Sequence, residues 1–108
     1  MLVEEVNVRM HRAGRRGFDT GIVDIPTTES AIVSGDVYVS SIFISNPSAV
    51  AVTVTLKDGG SVPKTFYSAT LAAGGKEEIH FHEPARFRGG IRAVASVSGA
   101  VMIVIGYS

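Results

Sequence analysis

Two histidines separated by one residue and followed by an acid are the most chemically suggestive residues of this chain. His80-Phe81-His82-Glu83 lies in a segment whose apolar residues alternate, and residues at positions i and i+2 of a β-strand face the same side. Two imidazoles with a carboxylate close by can hold Zn²⁺ or another divalent metal. A metal-dependent enzyme is therefore one function to weigh.

The surrounding residues argue against that metal site. Gly74, five residues and His80-x-His82 together are similar to the opening of the metal-binding pattern of cupins, but Glu83 follows the second histidine directly, whereas the cupin glutamate comes several residues later. The remaining histidine is His11, far from a later strand that could supply a third ligand. If Ile79 and Phe81 face the core, both histidines face away from it. We predict no metal and no cofactor, and a cupin-like metal-binding protein ranks third among the functions considered.

Nucleophilic catalysis has no sequence signature here. The chain has no Cys and no Gly-x-Ser-x-Gly elbow. The paired glycines at 59–60, 74–75 and 89–90 are not followed by helical patterns, so they indicate turns rather than phosphate-binding loops. We predict no catalytic residue and no enzymatic activity.

Arginines form two groups that could bind a partner. Arginine beside an aromatic ring can stack on nucleic-acid bases, but ten Lys and Arg balance ten Asp and Glu, whereas a nucleic-acid-binding domain is normally basic. We therefore expect contacts with acidic protein surfaces and no nucleic acid. The predicted partner-binding residues are Arg9, Arg12, Arg15, Arg16, Arg86 and Arg88.

The elements that must carry these residues are strands. The 108 residues suffice for one domain, and Val, Ile and Thr alternate with polar residues between Gly and Pro punctuation. No stretch is long enough for a membrane helix, and the acidic start suggests synthesis without Sec export. Strands are predicted at residues 21–25, 31–33, 36–46, 50–57, 65–71, 77–82, 91–97 and 100–107.

These strands predict an all-β fold: a single antiparallel β-sandwich of jelly-roll type with seven or eight strands over residues 21–108. Residues 36–46 should be a central strand with Tyr38 and Ile42 on one face and Val39 on the other, and should form a hairpin with residues 50–57. The strand near the C-terminus is apolar on both faces, so we expect it in the interior with Ile103 in the core.

Residues 1–20 differ from the rest and are predicted to be an extended basic N-terminal arm. Its arginines accompany a weak alternation of apolar residues at Val3, Val6, Val8 and Met10. Such a segment gains too little from burial to repay its ordering entropy without a partner. We expect it to order only when it lies across a neighbouring subunit or the shell beneath, by charge pairing and by adding a strand to a sheet edge.

The order of turns and strands also carries a resemblance. Thr70-Leu71-Ala72-Ala73-Gly74-Gly75, Gly89-Gly90-Ile91-Arg92-Ala93 and Ser98-Gly99-Ala100-Val101-Met102-Ile103-Val104 follow one another in this order. From about Ile42 onwards, this layout resembles small β-sandwich virion structural proteins of tailed bacteriophages.

That resemblance implies a capsid decoration or cement protein, or a neck or tail protein. It implies assembly into the virion in the host cytoplasm, contact with the major capsid protein or other virion proteins, and a homo-oligomer, with a trimer favoured.

The alternative is a host-surface or carbohydrate-binding module of the tail or neck. We rank it second because Trp is absent and Tyr38, Tyr67 and Tyr107 lie within predicted strands, whereas sugars need exposed aromatic rings.

Overall fold

Nine strands, all paired antiparallel, make up the regular structure of residues 16–107, the part of the chain that the computed structural model describes. They are β1 (Gly17–Asp19), β2 (Val23–Asp24), β3 (Ser30–Ser34), β4 (Val37–Ser45), β5 (Val52–Asp58), β6 (Thr65–Leu71), β7 (Lys76–Phe87), β8 (Gly90–Ala95) and β9 (Val101–Tyr107). The described residues include no helix that could span a membrane.

Two sheets share the strands in a jelly-roll arrangement. One sheet has the order β1-β9-β4-β7, with β2 also paired to β9, and the other has the order β3-β8-β5-β6. Apart from the β5–β6 hairpin, each connection from β2 to β9 crosses from one sheet to the other. The predicted fold class, an antiparallel jelly-roll sandwich, is confirmed.

The core lies between the sheets and is filled by alternate residues of the central strands. Its buried apolar side chains are Ile25, Val37, Val39, Ile42, Ile44, Val52, Val54, Leu56, Leu71, Phe87, Ile91, Ala93, Ala95, Ala100, Met102 and Val104.

The predicted hairpin between residues 36–46 and 50–57 is wrong. β4 pairs with β9 and β7, whereas β5 pairs with β6 and β8 in the opposite sheet. The Asn46-Pro47-Ser48 turn therefore leads across the sandwich. An alternating pattern shows that a strand has a buried face, but it does not show which sheet the strand joins.

A β-bulge at Ser40 overturns the predicted faces of β4. Val39 is paired with Gly106 of β9, and Ser41 with the preceding residue, Ile105, so Ser40 is an extra residue in β4. It shifts the alternation by one position, and Val39 and Ile42 both face the core. The prediction of a central strand is confirmed, since β4 lies between β9 and β7.

β9 lies inside its sheet, as predicted, but Ile103 is not a core residue. Met102 and Val104 are buried between the sheets, whereas Ile103 is only half-buried and lies on the outer face of the sheet. Packing in the core therefore does not explain why an apolar residue occupies this position.

β1 lies in the segment assigned to the arm. Gly17 is paired with Tyr107 and Asp19 with Ile105, so the sandwich includes residues from Gly17 onwards. Residues 1–15, with the predicted partner-binding residues Arg9, Arg12 and Arg15, lie outside the described residues.

Candidate interaction surface

An apolar depression of about 520 Å³ lies on the outer face of the five-stranded sheet. Its lining includes Val101 and Ile103 of β9, Phe43 of β4 and Ile22 of the β1–β2 connection. The side chain of Ile22 is 74% exposed. We call these four residues the apolar floor. An outer sheet face is normally polar, and an apolar one marks an interaction site.

The strand pairing explains how the floor forms. Phe43 and Ile103 are paired residues of β4 and β9, so their side chains lie on the same face of the sheet. Both positions alternate with core residues, Ile42 and Ile44 on β4 and Met102 and Val104 on β9. The apolar run of β9 therefore serves two surfaces, one in the core and one facing outward.

Charged residues border the floor on both sides. Lys76, Glu77 and Glu78 of β7 also line the depression, and Asp24 of β2 is paired with Val101. All four side chains are exposed. The Glu77 carboxylate lies 3.5 Å from the Tyr67 hydroxyl of the other sheet, so the carboxylates on the outer face are those of Asp24 and Glu78. Two carboxylates beside one ammonium group give this border a net negative charge, which suits an occupant that combines apolar and basic side chains.

A hydroxyl, an imidazole and a carboxylate line up beside the depression. Ser41 Oγ lies 3.1 Å from His80 Nδ1, and His80 Nε2 lies 2.8 Å from Glu78 Oε1. The His80 ring also packs edge-on against Phe43, with ring centroids 5.9 Å apart. Pairing of Ser41 with His80 in the β4–β7 ladder brings the three groups together.

This order of groups is the one that activates a serine nucleophile, but its surroundings do not suit catalysis. Glu78 lines the depression, whereas Ser41 and His80 are not among its lining residues. The imidazole is exposed to water on the sheet face, whereas an active site normally excludes water from the reacting groups. The interactions fix the orientation of Glu78 and of the Phe43 edge of the floor.

The predicted histidine pair faces outward. His80 and His82 are both exposed, and Ile79 and Phe81 pack against the core. Among the described residues, no group of three or more His, Asp or Glu side chains is placed to hold a metal ion.

Arg86 and Arg88 lie near the opposite end of the sheet from the depression. Arg86 Nη2 is 3.2 Å from Asp36 Oδ2, and the Gly89 N–H donates to Asp36 Oδ1 at 2.8 Å. These hydrogen bonds, first that from Gly89 and then that from Arg86, lower the pKa of Asp36. Arg86 therefore has a structural partner within the chain, while its predicted role toward another protein stays a prediction. Arg88 is exposed.

The remaining predicted site residue inside the described range is Arg16. It is exposed and directly precedes β1. The strand register places Arg16, next to Gly17, at the same end of the five-stranded sheet as Arg86. Its predicted role toward a partner stays a prediction.

An ion-pair cluster ties together the outer face of the other sheet. Lys57 Nζ lies 2.8 Å from one Glu29 oxygen and Arg92 Nε 3.0 Å from the other. The hydrogen bond from Lys57, followed by that from Arg92, lowers the pKa of Glu29. Both cations are thus partnered within the chain, and this face offers no free basic patch at that point.

The comparisons with known proteins bear on the fold. No protein-family model matches the chain, and no curated protein matches it. A solved structure of Bacillus endospore appendages, described as disulfide-linked pili, is similar with a TM-score of 0.51 at 8% identity over 86% of this chain and 83% of that chain.

Two further structures have lower scores. A family 32 carbohydrate-binding module of C. perfringens NanJ, in complex with galactose, has a TM-score of 0.45 at 11% identity and covers 90% of this chain and 96% of its own. PirA has a TM-score of 0.42 at 12% identity and covers 87% and 93%. At such identities the likeness to the endospore appendage shows the fold alone, and the two lower scores carry no argument.

Proposed function

We propose that this chain is a non-enzymatic structural protein that assembles with copies of itself and with a larger particle, specifically a capsid decoration or cement protein of a tailed bacteriophage. The observation that carries the proposal is the apolar floor. Burying such a surface stabilises association by roughly 25 cal/mol per Å² of apolar area removed from water, and leaving it in water favours aggregation.

Three further features support an assembly role over catalysis. The depression lies on a sheet face rather than in a deep cleft. The Ser41 and His80 members of the hydroxyl–imidazole–carboxylate line stand outside it. The jelly roll is a fold that viral capsid proteins use, which agrees with the resemblance in the order of turns and strands.

The alternative, a host-surface or carbohydrate-binding module, has a distinct expectation. A sugar site needs an aromatic ring with polar groups around it, and the depression offers Phe43, several aliphatic side chains and carboxylates. We rank this function second because aliphatic side chains dominate the floor.

The test is made on particles produced by the genome that encodes this chain. Density-purified particles are analysed by quantitative mass spectrometry, and the chain is expected in a fixed ratio to the major capsid protein. Sedimentation equilibrium of the purified chain is expected to give a closed homo-oligomer, with a trimer favoured.

Absence of the chain from purified particles would overturn the virion proposal. Specific binding to members of a glycan array, lost when Phe43 is changed to Ala, would favour the alternative function instead. Hydrolysis of ester substrates that depends on Ser41 would overturn the non-enzymatic part.

A further inference from the structure

We propose that the apolar floor is the receptor for residues 1–15 of a neighbouring copy of this chain, which makes the contact between copies head-to-tail. This inference rests on the proposed self-assembly and names the two surfaces that meet. It replaces the expectation that the arm adds a strand to a sheet edge by one in which its side chains dock on a sheet face.

The chemistry of the two surfaces is complementary. Residues 6–12 read Val-Asn-Val-Arg-Met-His-Arg, so an extended conformation would present Val6, Val8 and Met10 on one side. Three such side chains match a depression of about 520 Å³, a volume within the roughly 300–1,000 Å³ of typical ligand sites. The apolar side chains would cover the floor and remove it from water.

The formal charges of the two surfaces are also complementary. Residues 1–16 contain four Arg and two Glu, a formal charge of +2, while residues 17–108 contain six Lys or Arg and eight Asp or Glu, a formal charge of −2. The surplus of acids is visible at the border of the floor, where Asp24 and Glu78 lie on the same face as Lys76. Arg9 and Arg12 could each form a bidentate pair with such carboxylates.

The direction of β1 favours a neighbouring copy over the same copy. β1 is antiparallel to β9 with Gly17 beside Tyr107, so the chain enters the sheet at the Tyr107 end. The floor lies at the other end, at Val101 and Ile103, roughly 13–20 Å away along β9 at about 3.3 Å per residue. The residues before Gly17 are therefore joined to the sheet at the end away from their own floor, and a subunit placed beyond that end would offer its floor to them.

A contact between two different surfaces repeats from copy to copy. If the rotation closes, the result is a ring, and if it does not, the result is a filament. The favoured trimer would be such a ring, with three arms on three floors.

A disulfide experiment tests the proposal directly, because the chain has no Cys. The double variant Val8→Cys/Ile103→Cys is made in the full chain and oxidised under mild conditions. We expect covalent multimers on a non-reducing gel. In mixed samples of isotopically labelled and unlabelled protein, the thiol introduced at position 8 should be linked to the thiol introduced at position 103 of a different copy. The matched control Val8→Cys/Thr55→Cys places the second thiol on the outer face of the other sheet and should give no multimers.

A second experiment does not depend on oxidation. In the full chain, Asp24→Lys/Glu78→Lys reverses two exposed charges on the outer face, so folding should be retained. We expect the dissociation constant between copies, measured by sedimentation velocity, to rise about tenfold or more. The further changes Arg9→Glu and Arg12→Glu should restore part of that loss.

The outcomes separate this inference from the proposed function. Oligomers that form without the link between positions 8 and 103 and ignore the charge reversal would overturn the receptor assignment while leaving self-assembly standing. A link within one copy would also overturn it, because the proposal requires a neighbour. A full chain that stays monomeric at every concentration would overturn both.

Discussion

At the scale of single residues, Asn46 does more than end a strand. Its side chain is fully buried, and its Nδ2 lies within 2.7–3.1 Å of the carbonyl oxygens of Val50, Leu71 and Ala72. Its Oδ1 accepts from the hydroxyl of Ser48 at 2.6 Å. One amide thus joins the β4–β5 crossover to the β6–β7 crossover.

We predict that Asn46→Ala lowers the free energy of unfolding by roughly 2–4 kcal/mol, because buried carbonyl groups lose their donor. Urea unfolding followed by circular dichroism measures the change. Ser48→Ala, which removes a single neighbour of the amide, should cost clearly less. Equal losses for the two variants would show that the amide is not the joint between the crossovers.

Two carboxylates link stability to pH. The pKa values of Glu29 and Asp36 are lowered from ordinary values of 4.5 and 3.8 by the donors described above. A lowered folded-state pKa stabilises the fold above the unfolded value, and that contribution is lost as the pH falls through the folded value.

We therefore predict that the urea midpoint falls as the pH drops below about 4.5, with no comparable change from these two groups between pH 5 and 8. The variant Glu29→Gln/Asp36→Asn should show a weaker dependence on acid. Asp36 is exposed and Glu29 is partly exposed, so the difference should be modest. If the urea midpoint depends on pH in the same way for the variant and the natural chain, these two carboxylates do not contribute to the acid sensitivity.

At the scale of elements, the alternation of apolar residues predicts the strands well and their partners poorly. The strands expected at residues 65–71 and 100–107 contain β6 and β9, and the one expected at residues 50–57 overlaps β5. The crossing of β4 to β5 and the bulge at Ser40 have no local signal, because both depend on residues far along the chain.

The candidate site is equally hard to predict. The sequence draws attention to His80, but Ser41 is 39 residues away, and only the β4–β7 register brings them together. The core position expected for Ile103 is wrong because an apolar run cannot show which of its two faces meets the other sheet. The sequence feature that could have indicated an outer interaction surface is the presence of apolar residues on both faces of β9.

Two substitutions on β9 test the different roles of its inner and outer faces. Val104→Asp should abolish cooperative thermal unfolding, because Val104 is buried and an unpaired buried charge costs several kcal/mol against a total of about 5–15. Ile103→Asp should retain a cooperative transition and lose self-association. Thermal scans with circular dichroism and sedimentation velocity measure both effects. Unfolding by both changes would mean that the outer face also belongs to the subunit's own core.

At the scale of the whole molecule, the sandwich and the residues before it should be separable. The described core lies entirely within residues 17–107, so a chain that lacks residues 1–15 should keep its strand spectrum and its cooperative melting. It should self-associate weakly, and association of the full chain should fall as salt rises from about 0.1 M to about 1 M, where charges are screened within roughly 3 Å.

Circular dichroism and sedimentation velocity on the two lengths check this prediction. A truncated chain that associates as tightly as the full chain would contradict it. A truncated chain that does not fold would make residues 1–15 part of the subunit's own structure.

The place of β9 between β1 and β4 also determines when the five-stranded sheet can be completed during translation. The ribosome must add 55 residues, 46–100, after the end of β4 before it reaches Val101, which at about 5–20 residues per second takes roughly 3–11 s. Throughout that interval the nascent β4 has an open hydrogen-bonding edge, and β1 and β2 have no sheet to join. Completion of the five-stranded sheet is therefore tied to translation of residues 101–107, and a slow ribosome would lengthen the period in which that edge can pair with the wrong chain.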